Sequence, residues 1–127
     1  MLSGIPLQPR LPASDIDRAR AWYHDKLQLD PAREDDGGLW YQTGGTWFLV
    51  FRTSNAGTAR NTAAGWTVPD LRAFMAETRS RGVTFDEVDL GNGMQTVEGL
   101  LNLDGFLLAW FKDSEGNTIE MSQLPAG

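Results

Sequence analysis

Hydrophobic and polar residues alternate along several stretches of this chain, and two other stretches have a helical period. The clearest alternation is near the C-terminus, where Ile119 and Met121 are apolar and Thr118, Glu120 and Ser122 are polar. This pattern predicts a half-buried strand, and the turn-forming residues at 113–117 predict a tight turn before it. Glu120 is therefore the carboxylate on the polar face of the predicted last strand.

The first half of the chain predicts a strand, a helix and then further strands. Residues 5–13 predict a short edge strand, because their three prolines argue against a central, fully paired position. Ser14 is the predicted N-cap of a helix that runs to about Leu27, with apolar residues recurring at spacings of three and four. Residues 33–38 predict a charged turn. Residues 39–42 and 46–52 predict two strands joined through a turn at Gly44 and Gly45.

The second half repeats this order. Residues 63–68 predict a strand, Leu71 to Thr78 predict a helix with one apolar face, and residues 83–88 and 106–112 predict strands before the last one. Asp15 and Asp70 begin the two helices, an offset of 55 residues. The expected fold is α+β: two tandem βαβββ modules, at 5–53 and 62–123, within one domain at 1–127. We expect their curved mixed sheets to leave a concave cleft between them.

Composition narrows the function. The chain has 127 residues, a formal net charge of −6 and no cysteine. The sequence shows no basic patch of the kind that nucleic-acid binders use, and no apolar run of membrane-spanning length. Met1 to Pro6 lacks the basic and apolar regions of a signal peptide. We therefore predict a cytoplasmic protein that binds neither nucleic acid nor membrane, and whose acidic balance suits neutral or cationic small molecules.

Two phrases resemble a known family. The stretch from Asp15 to Tyr23, followed by Leu27 and Leu29, and the stretch from Phe111 to Glu120 resemble the vicinal oxygen chelate superfamily, as does the repeated βαβββ order. That superfamily contains glyoxalase I, extradiol dioxygenases, fosfomycin-resistance enzymes and bleomycin-resistance binding proteins. The resemblance covers nearly the whole chain. It implies the fold but no particular activity, because one fold hosts many chemistries.

The resemblance also implies where a metal would bind in metal-dependent members. The four ligand positions correspond to Gln8, Leu49, Ala63 and Glu120. Leucine and alanine cannot coordinate a cation, so Gln8 and Glu120 are the only ligands if a metal is bound at all. We therefore expect no cofactor, although a divalent metal that keeps most of its water, such as Mg²⁺, stays possible.

The alignment further implies which side chains line the expected cleft. Alternation places Trp47, Leu49 and Phe51 on the same strand face, with Phe48 and Val50 packed under a helix. The full candidate ligand-binding set is Gln8, Arg10, Trp47, Leu49, Phe51, Thr67, Trp110, Phe111, Glu120 and Ser122. Aromatic walls with a few polar anchors are typical of small-molecule sites, and packing of the same aromatic residues in the sheet core is the competing interpretation.

Two functions follow from these expectations. The first is a metal-independent binding protein for a planar or cationic small molecule, held by stacking and cation–π attraction. The second is a glyoxalase-like lyase or isomerase, in which Glu120 is the catalytic general base and Gln8 or Arg10 anchors an oxyanion. An accessory subunit with an empty cleft is a third possibility. The resemblance also implies a homodimer, with Trp22 as a candidate contact and an isolated exposed aromatic as the alternative interpretation.

Overall fold

The computed structural model describes residues 1–126. The chain forms two compact units. The first contains Met1–Arg60 together with Ser114–Asn117, and the second contains Asn61–Asp113 and the chain from Thr118 onward. Each unit has one helix and one four-stranded mixed sheet, so the predicted α+β fold with two tandem modules is confirmed.

The first unit contains β1 (Arg10–Ala13), α1 (Ile16–Leu27), β2 (Arg33–Asp35), β3 (Gly38–Thr43) and β4 (Thr46–Arg52). The strand order is β1-β4-β3-β2, with β1 parallel to β4 and the other pairs antiparallel. Tyr23 of α1 packs against Tyr41 and Phe48 of the sheet, with ring centroids 5.4 and 5.9 Å away. Phe48 therefore packs under the helix, as the alternation of β4 predicts.

The second unit contains β5 (Thr62–Thr67), α2 (Leu71–Ser80), β6 (Leu101–Leu103), β7 (Phe106–Lys112) and β8 (Thr118–Gln123). The strand order is β5-β8-β7-β6, and β5 is the strand that runs parallel to its neighbour. Its core joins buried residues of α2, including Leu71 and Met75, to alternate residues of β7 and β8. Phe111 lies in this core, where its ring packs edge-to-face with that of Phe85 at a centroid distance of 5.6 Å.

Several element predictions are wrong in detail. The N-cap of α1 is Asp15, whose side chain accepts from the Arg18 N–H, and Ser14 instead donates its own N–H to Glu115. Residues 33–35 form an edge strand instead of a turn, and charged side chains are usual on such an edge. Only Arg10–Ala13 of the predicted strand at 5–13 pairs, because prolines interrupt the residues before it.

The predicted strand at 83–88 is reduced to one bridge, between Phe85 and Phe111. The cause is competition for the free edge of β7. Its first residues pair with β6, as in the pair Leu101 and Leu108, and only its far end is left for Phe85. Sequence periodicity cannot show that two segments share one edge. Within residues 1–126, neither helix is long and apolar enough to cross a membrane.

Candidate functional site

The first sheet has one face turned toward α1 and an opposite face, which we call the aromatic face. The aromatic face consists of Arg10, Arg33, Trp40, Trp47, Leu49 and Phe51. The turn at Gly44, with φ of 56°, sets the register that places Trp40 opposite Leu49. Arg10 and Arg33 extend this pairing, so that Arg10, Leu49, Trp40 and Arg33 form one row across the four strands.

Leu49 is the centre of the aromatic face. It lies between Arg10 and Trp40 across the sheet and between Trp47 and Phe51 along β4. Its exposed fraction is 9%, whereas the two flanking aromatic residues are half-buried. The Arg10 guanidinium carbon lies 5.3 Å from the Trp40 ring centroid, so the Arg10 side chain reaches across the row.

Trp40 is held in place by a carboxylate. Its indole Nε1–H donates to Asp35 Oδ1 at 3.0 Å, and the same oxygen accepts the Gly37 N–H at 2.8 Å. The Trp40 hydrogen bond is the main reason that the pKa of Asp35 lies below its usual value. Arg33 completes the cluster, with its guanidinium 4.8 Å from the Trp40 centroid and its Nε 3.5 Å from Asp35.

Arg10 differs from Arg33 in its partners. Its one hydrogen bond to another described residue goes to Gln8 Oε1, at 3.5 Å, and no carboxylate of residues 1–126 lies within ion-pair distance. Gln8 is half-buried and lies two residues before Arg10, the first residue of β1. The structure thus brings four predicted site residues of β4 and β1 onto one face, and it adds Trp40 and Arg33, which the sequence analysis missed.

The second sheet presents a different surface on the side away from its core, which we call the polar face. It consists of Gly65, Thr67, Leu108, Trp110, Glu120 and Ser122. Gly65 is paired with Glu120, which is paired with Trp110. A β-carbon placed on Gly65 would lie 3.4 Å from Glu120 Oε2, so the carboxylate lies beside this glycine.

The polar side chains of this face have few partners. The Glu120 carboxylate is half-buried and makes no hydrogen bond or ion pair with the rest of residues 1–126. The hydroxyls of Ser122 and Thr67 lie 3.2 Å apart, and Ser122 is nearly buried, at 7% exposed. Four predicted site residues thus share this face: Thr67, Trp110, Glu120 and Ser122.

The prediction that Phe111 contributes to the site is wrong. Successive side chains of a strand point to opposite faces, and Trp110 occupies the polar face. Phe111 therefore points into the core, where it is 0% exposed and contacts Phe85. The sequence left the register of this strand undecided, because both aromatic residues fit a buried face equally well.

The predicted metal positions lie at equivalent places in the two units. Leu49 is paired with Arg10 and Glu120 with Gly65, so Gln8 and Ala63 each lie two residues before the paired residue, and a β-bulge lies between Thr62 and Ala64. The side chains of Leu49 and Ala63 have no group that can coordinate a metal. Among residues 1–126, no three His, Cys, Asp or Glu side chains are grouped to hold a metal ion. That Gln8 and Glu120 would be the ligands of any bound metal stays a prediction.

A buried carboxylate that the sequence analysis missed lies at the start of α1. Glu115, on the four-residue segment that joins the first unit, accepts the Ser14 and Asp15 N–H groups, each at 3.0 Å. Arg18 Nε donates to it at 2.8 Å. Burial opposes its charge, but these donors outweigh it and lower the pKa of Glu115 to about 2. Its chemistry is structural, since the carboxylate is fully engaged.

Two further residues of α1 lie outside the core of the first unit. His24 is exposed, and its Nδ1 lies 2.7 Å from Asp30, which is the main cause of its raised pKa. Trp22 is half-buried, and its ring packs edge-to-face with that of Tyr23 at a centroid distance of 5.0 Å. The second unit also contains a pocket of about 190 Å³ between α2 and residues 97–100, and it includes none of the predicted site residues.

Comparisons with known proteins were made for sequence and for structure. The family model described as the Glyoxalase/Bleomycin resistance protein/Dioxygenase superfamily matches residues 6–121. No curated protein sequence matches the chain significantly.

Solved structures resemble the chain over most of its length. TnmS3, an antibiotic binding protein from Streptomyces sp. CB03234, has a TM-score of 0.67 and 22% identity, covering 94% of this chain and 93% of its own. A glyoxalase/bleomycin resistance protein from Catenulispora acidiphila has a TM-score of 0.67 and 21% identity, covering 94% and 97%. The fosfomycin resistance protein FosX from Listeria monocytogenes, in complex with Mn(II), has a TM-score of 0.65 and 14% identity, covering 95% and 90%. At these identities the likeness shows the fold.

Proposed function

We propose, from the premise that this chain belongs to the Glyoxalase/Bleomycin resistance protein/Dioxygenase superfamily, that it binds a planar small molecule without a metal ion. The aromatic face of the first unit is the proposed binding surface. One observation carries the proposal: Leu49, at a position where metal-dependent members would have a ligand, is surrounded by Trp40, Trp47, Phe51 and Arg10. Such a surface favours stacking and excludes coordination at that position.

The composition of this face supports a ring-shaped ligand. Trp47 and Phe51 are half-buried, so each keeps ring area that a ligand can cover. Offset or edge contacts between aromatic rings contribute about 0.5–1.5 kcal/mol each beyond the area they bury. The Arg10 guanidinium is itself planar and stacks on rings as well as binding charge. Binding of an antibiotic by the structurally similar TnmS3 is consistent with this class of function.

We propose that the protein binds no metal because too few side chains at the family's metal positions can coordinate one. Of the four positions that the family uses, Leu49 and Ala63 offer no side-chain donor atom. Two remaining ligands, Gln8 and Glu120, fall short of the three protein ligands that a divalent catalytic site ordinarily needs. The expected result is no melting-temperature change with Ni²⁺, Zn²⁺, Mn²⁺ or Mg²⁺. A stoichiometric metal, with stabilisation lost in Glu120→Ala, would contradict metal independence.

The binding surface is tested with ligand titrations of two variants. Trp47→Leu removes one ring from the aromatic face, and we expect about tenfold weaker binding of planar probes such as 2-naphthamide. Phe74→Leu is the matched control, because this exposed aromatic residue lies on α2 in the other unit. The measurement is isothermal titration calorimetry. Equal affinity in both variants would show that the aromatic face is not the binding surface.

An enzymatic function is the alternative, and Glu120 is the observation that favours it. This carboxylate is half-buried and without a partner among residues 1–126, as a general base awaiting its substrate would be. The discriminating experiment is Glu120→Gln, which keeps the shape and removes the base. Loss of all turnover of an α-hydroxycarbonyl substrate, with binding retained, would establish the enzyme; a change in affinity alone would favour the binding protein. That the aromatic and polar faces line a single cleft stays a prediction.

A homodimer is the proposed assembly, with Trp22 as its contact. The supporting observation is the partial exposure of Trp22. Its neighbour Tyr23 is buried in the core, whereas Trp22 is only half-buried and keeps ring surface that a second chain could cover. Trp22→Ala is expected to give a monomer by light scattering. An unchanged molar mass in Trp22→Ala would remove this residue from the proposed contact.

A further inference from the structure

We infer that the ligand of the aromatic face carries an acidic group and that Arg10 binds it. The inference rests on the proposed function, since it names the chemical class of molecule that this face would take. It departs from the expectation based on net charge, which favours neutral or cationic ligands. The local charges of the aromatic face are opposite in sign to those of the whole chain.

The first argument is the position of the guanidinium. Arg10 is paired with Leu49, and its side chain reaches across that residue to lie 5.3 Å from the centroid of Trp40. The charge is therefore held over the middle of the face by attraction to the indole ring. A ring placed over Leu49, between Trp47 and Phe51, would lie beside this guanidinium.

The second argument is the charge balance of the face. Arg33 has its counter-charge, because Asp35 lies 3.5 Å from its Nε and also holds the Trp40 indole. Arg10 has no such carboxylate among residues 1–126, and its hydrogen bond to Gln8 is neutral and long. The face thus combines two guanidinium groups with one carboxylate, and the surplus positive charge belongs to Arg10.

The third argument is the chemistry of the group itself. A guanidinium presents several N–H donors in a planar fork, which matches the two oxygens of a carboxylate or the oxygens of a phosphonate. Charged groups interact over roughly 8–10 Å at physiological salt, so this local charge outweighs the more distant acidic residues of the chain. An aromatic acid satisfies both features, with its ring on Trp47 and Phe51 and its acid on Arg10.

The test compares probes that differ in charge alone. Benzoate and 2-naphthoate are each titrated beside the matching neutral amide and the matching aryl-methylammonium ion, followed by the indole Nε1–H resonances and by calorimetry. We expect the acids to bind at least tenfold more tightly than the amides, and the cations to bind most weakly. Arg10→Gln is expected to remove the preference for the acid, so that the acid and its matching amide bind to this variant with affinities within twofold of each other.

Arg52→Gln is the matched control. It removes the same charge from the same unit, but Arg52 is paired with Ala13 and therefore lies on the opposite face of the sheet from Leu49. It is expected to keep the full preference for acids. A preference that survives Arg10→Gln, an equal loss in Arg52→Gln, or tightest binding of the cations would overturn the inference while leaving ring binding intact. Failure of all probes to perturb the indole resonances would overturn the proposed function together with the inference.

Discussion

The two sheets share one architecture and present opposite chemistry. In the first unit the row across three strands is Arg10, Leu49 and Trp40, whereas in the second unit the equivalent row is Gly65, Glu120 and Trp110. The third residue of each row is a tryptophan, but one row carries a cation beside an apolar centre, and the other carries an anion beside a glycine. Strand order fixes where each row lies. The first two residues of each row, Arg10 and Leu49 in one and Gly65 and Glu120 in the other, decide its charge.

The starts of the two helices differ in a parallel way. Asp15 and Asp70 cap α1 and α2 with the same bond to the third helical residue. A further acceptor then comes from a distant part of the chain. At α1 it is the carboxylate of Glu115, and at α2 it is the neutral Gln123 Oε1, which accepts the Leu71 N–H at 2.8 Å. The first unit therefore depends on a buried charge where the second uses an amide.

The largest expected effect comes from replacing Gly38, the first residue of β3. A β-carbon on Gly38 would lie 2.1 Å from the Val50 carbonyl oxygen, and its φ of 131° is unfavourable for any other residue. Gly38→Ala is expected to lower the free energy of unfolding by roughly 4 kcal/mol, from steric overlap and backbone strain together. Urea denaturation measures this loss.

Gly65→Ala provides the contrast, because its β-carbon would meet the Glu120 backbone oxygen at 3.2 Å, at a φ that L-residues adopt. We expect a change of less than about 1 kcal/mol. Equal destabilisation by the two substitutions would mean that the backbone of β4 near Val50 can shift to make room for a β-carbon at position 38.

The helix starts give the next largest effect. Glu115→Ala leaves the Ser14 and Asp15 N–H groups and the Arg18 guanidinium without their shared acceptor. We expect a loss of about 3 kcal/mol. Gln123→Ala removes a single neutral acceptor, with an expected loss of about 1 kcal/mol. Chemical denaturation of both variants at neutral pH makes the comparison, and a larger loss in the glutamine variant would reverse the ranking.

Lowering the pH is expected to reduce the free energy of unfolding by a smaller amount, through Glu115 at the start of α1. Burial is opposed by donors that lower the pKa of Glu115 to about 2 from its ordinary 4.5. The carboxylate binds its proton more readily in the unfolded chain, so its contribution is complete above about pH 4.5 and is lost as the pH falls toward 2. The expected contribution is about 2 kcal/mol, reduced because the Arg18 side chain is 52% exposed.

The matched variant is Glu115→Gln, which keeps an acceptor for both N–H groups and cannot titrate. Its free energy of unfolding should fall less steeply between pH 4.5 and 2 than that of the natural chain. Parallel acid dependence in the two proteins would show that another carboxyl group controls acid stability.

Much of the fold follows from local sequence. The apolar run of residues 46–52, the alternation over residues 118–123 and the helical spacing after Asp15 and Asp70 locate four of the main elements, because burial selects apolar residues on the buried faces of each element. The turn residues Gly44 and Gly116, both with positive φ, locate the turns that precede β4 and β8. These features depend on neighbours a few residues apart, and a single sequence shows them directly.

Only part of the candidate site could be predicted from local sequence. Trp47, Leu49 and Phe51 could be assigned to one face from alternation alone. Trp40 could have been added from the turn at Gly44, since a two-residue hairpin fixes which residues are opposite each other. Arg33 could not, because its strand is short, charged and recognisable as a strand only by its pairing with β3.

The sequence by itself determined the order of helices and strands, the apolar residue Leu49 at the centre of the aromatic face, and the aromatic residues Trp47 and Phe51 on either side of it. Tertiary structure alone decided the register, and with it that Trp110 is on the polar face while Phe111 is in the core. It also decided that Glu115 is buried at a helix start a hundred residues earlier, and that Arg10 has no carboxylate partner among residues 1–126. The physical reason is that pairing register and charge partners join residues far apart in sequence, which local periodicity does not encode.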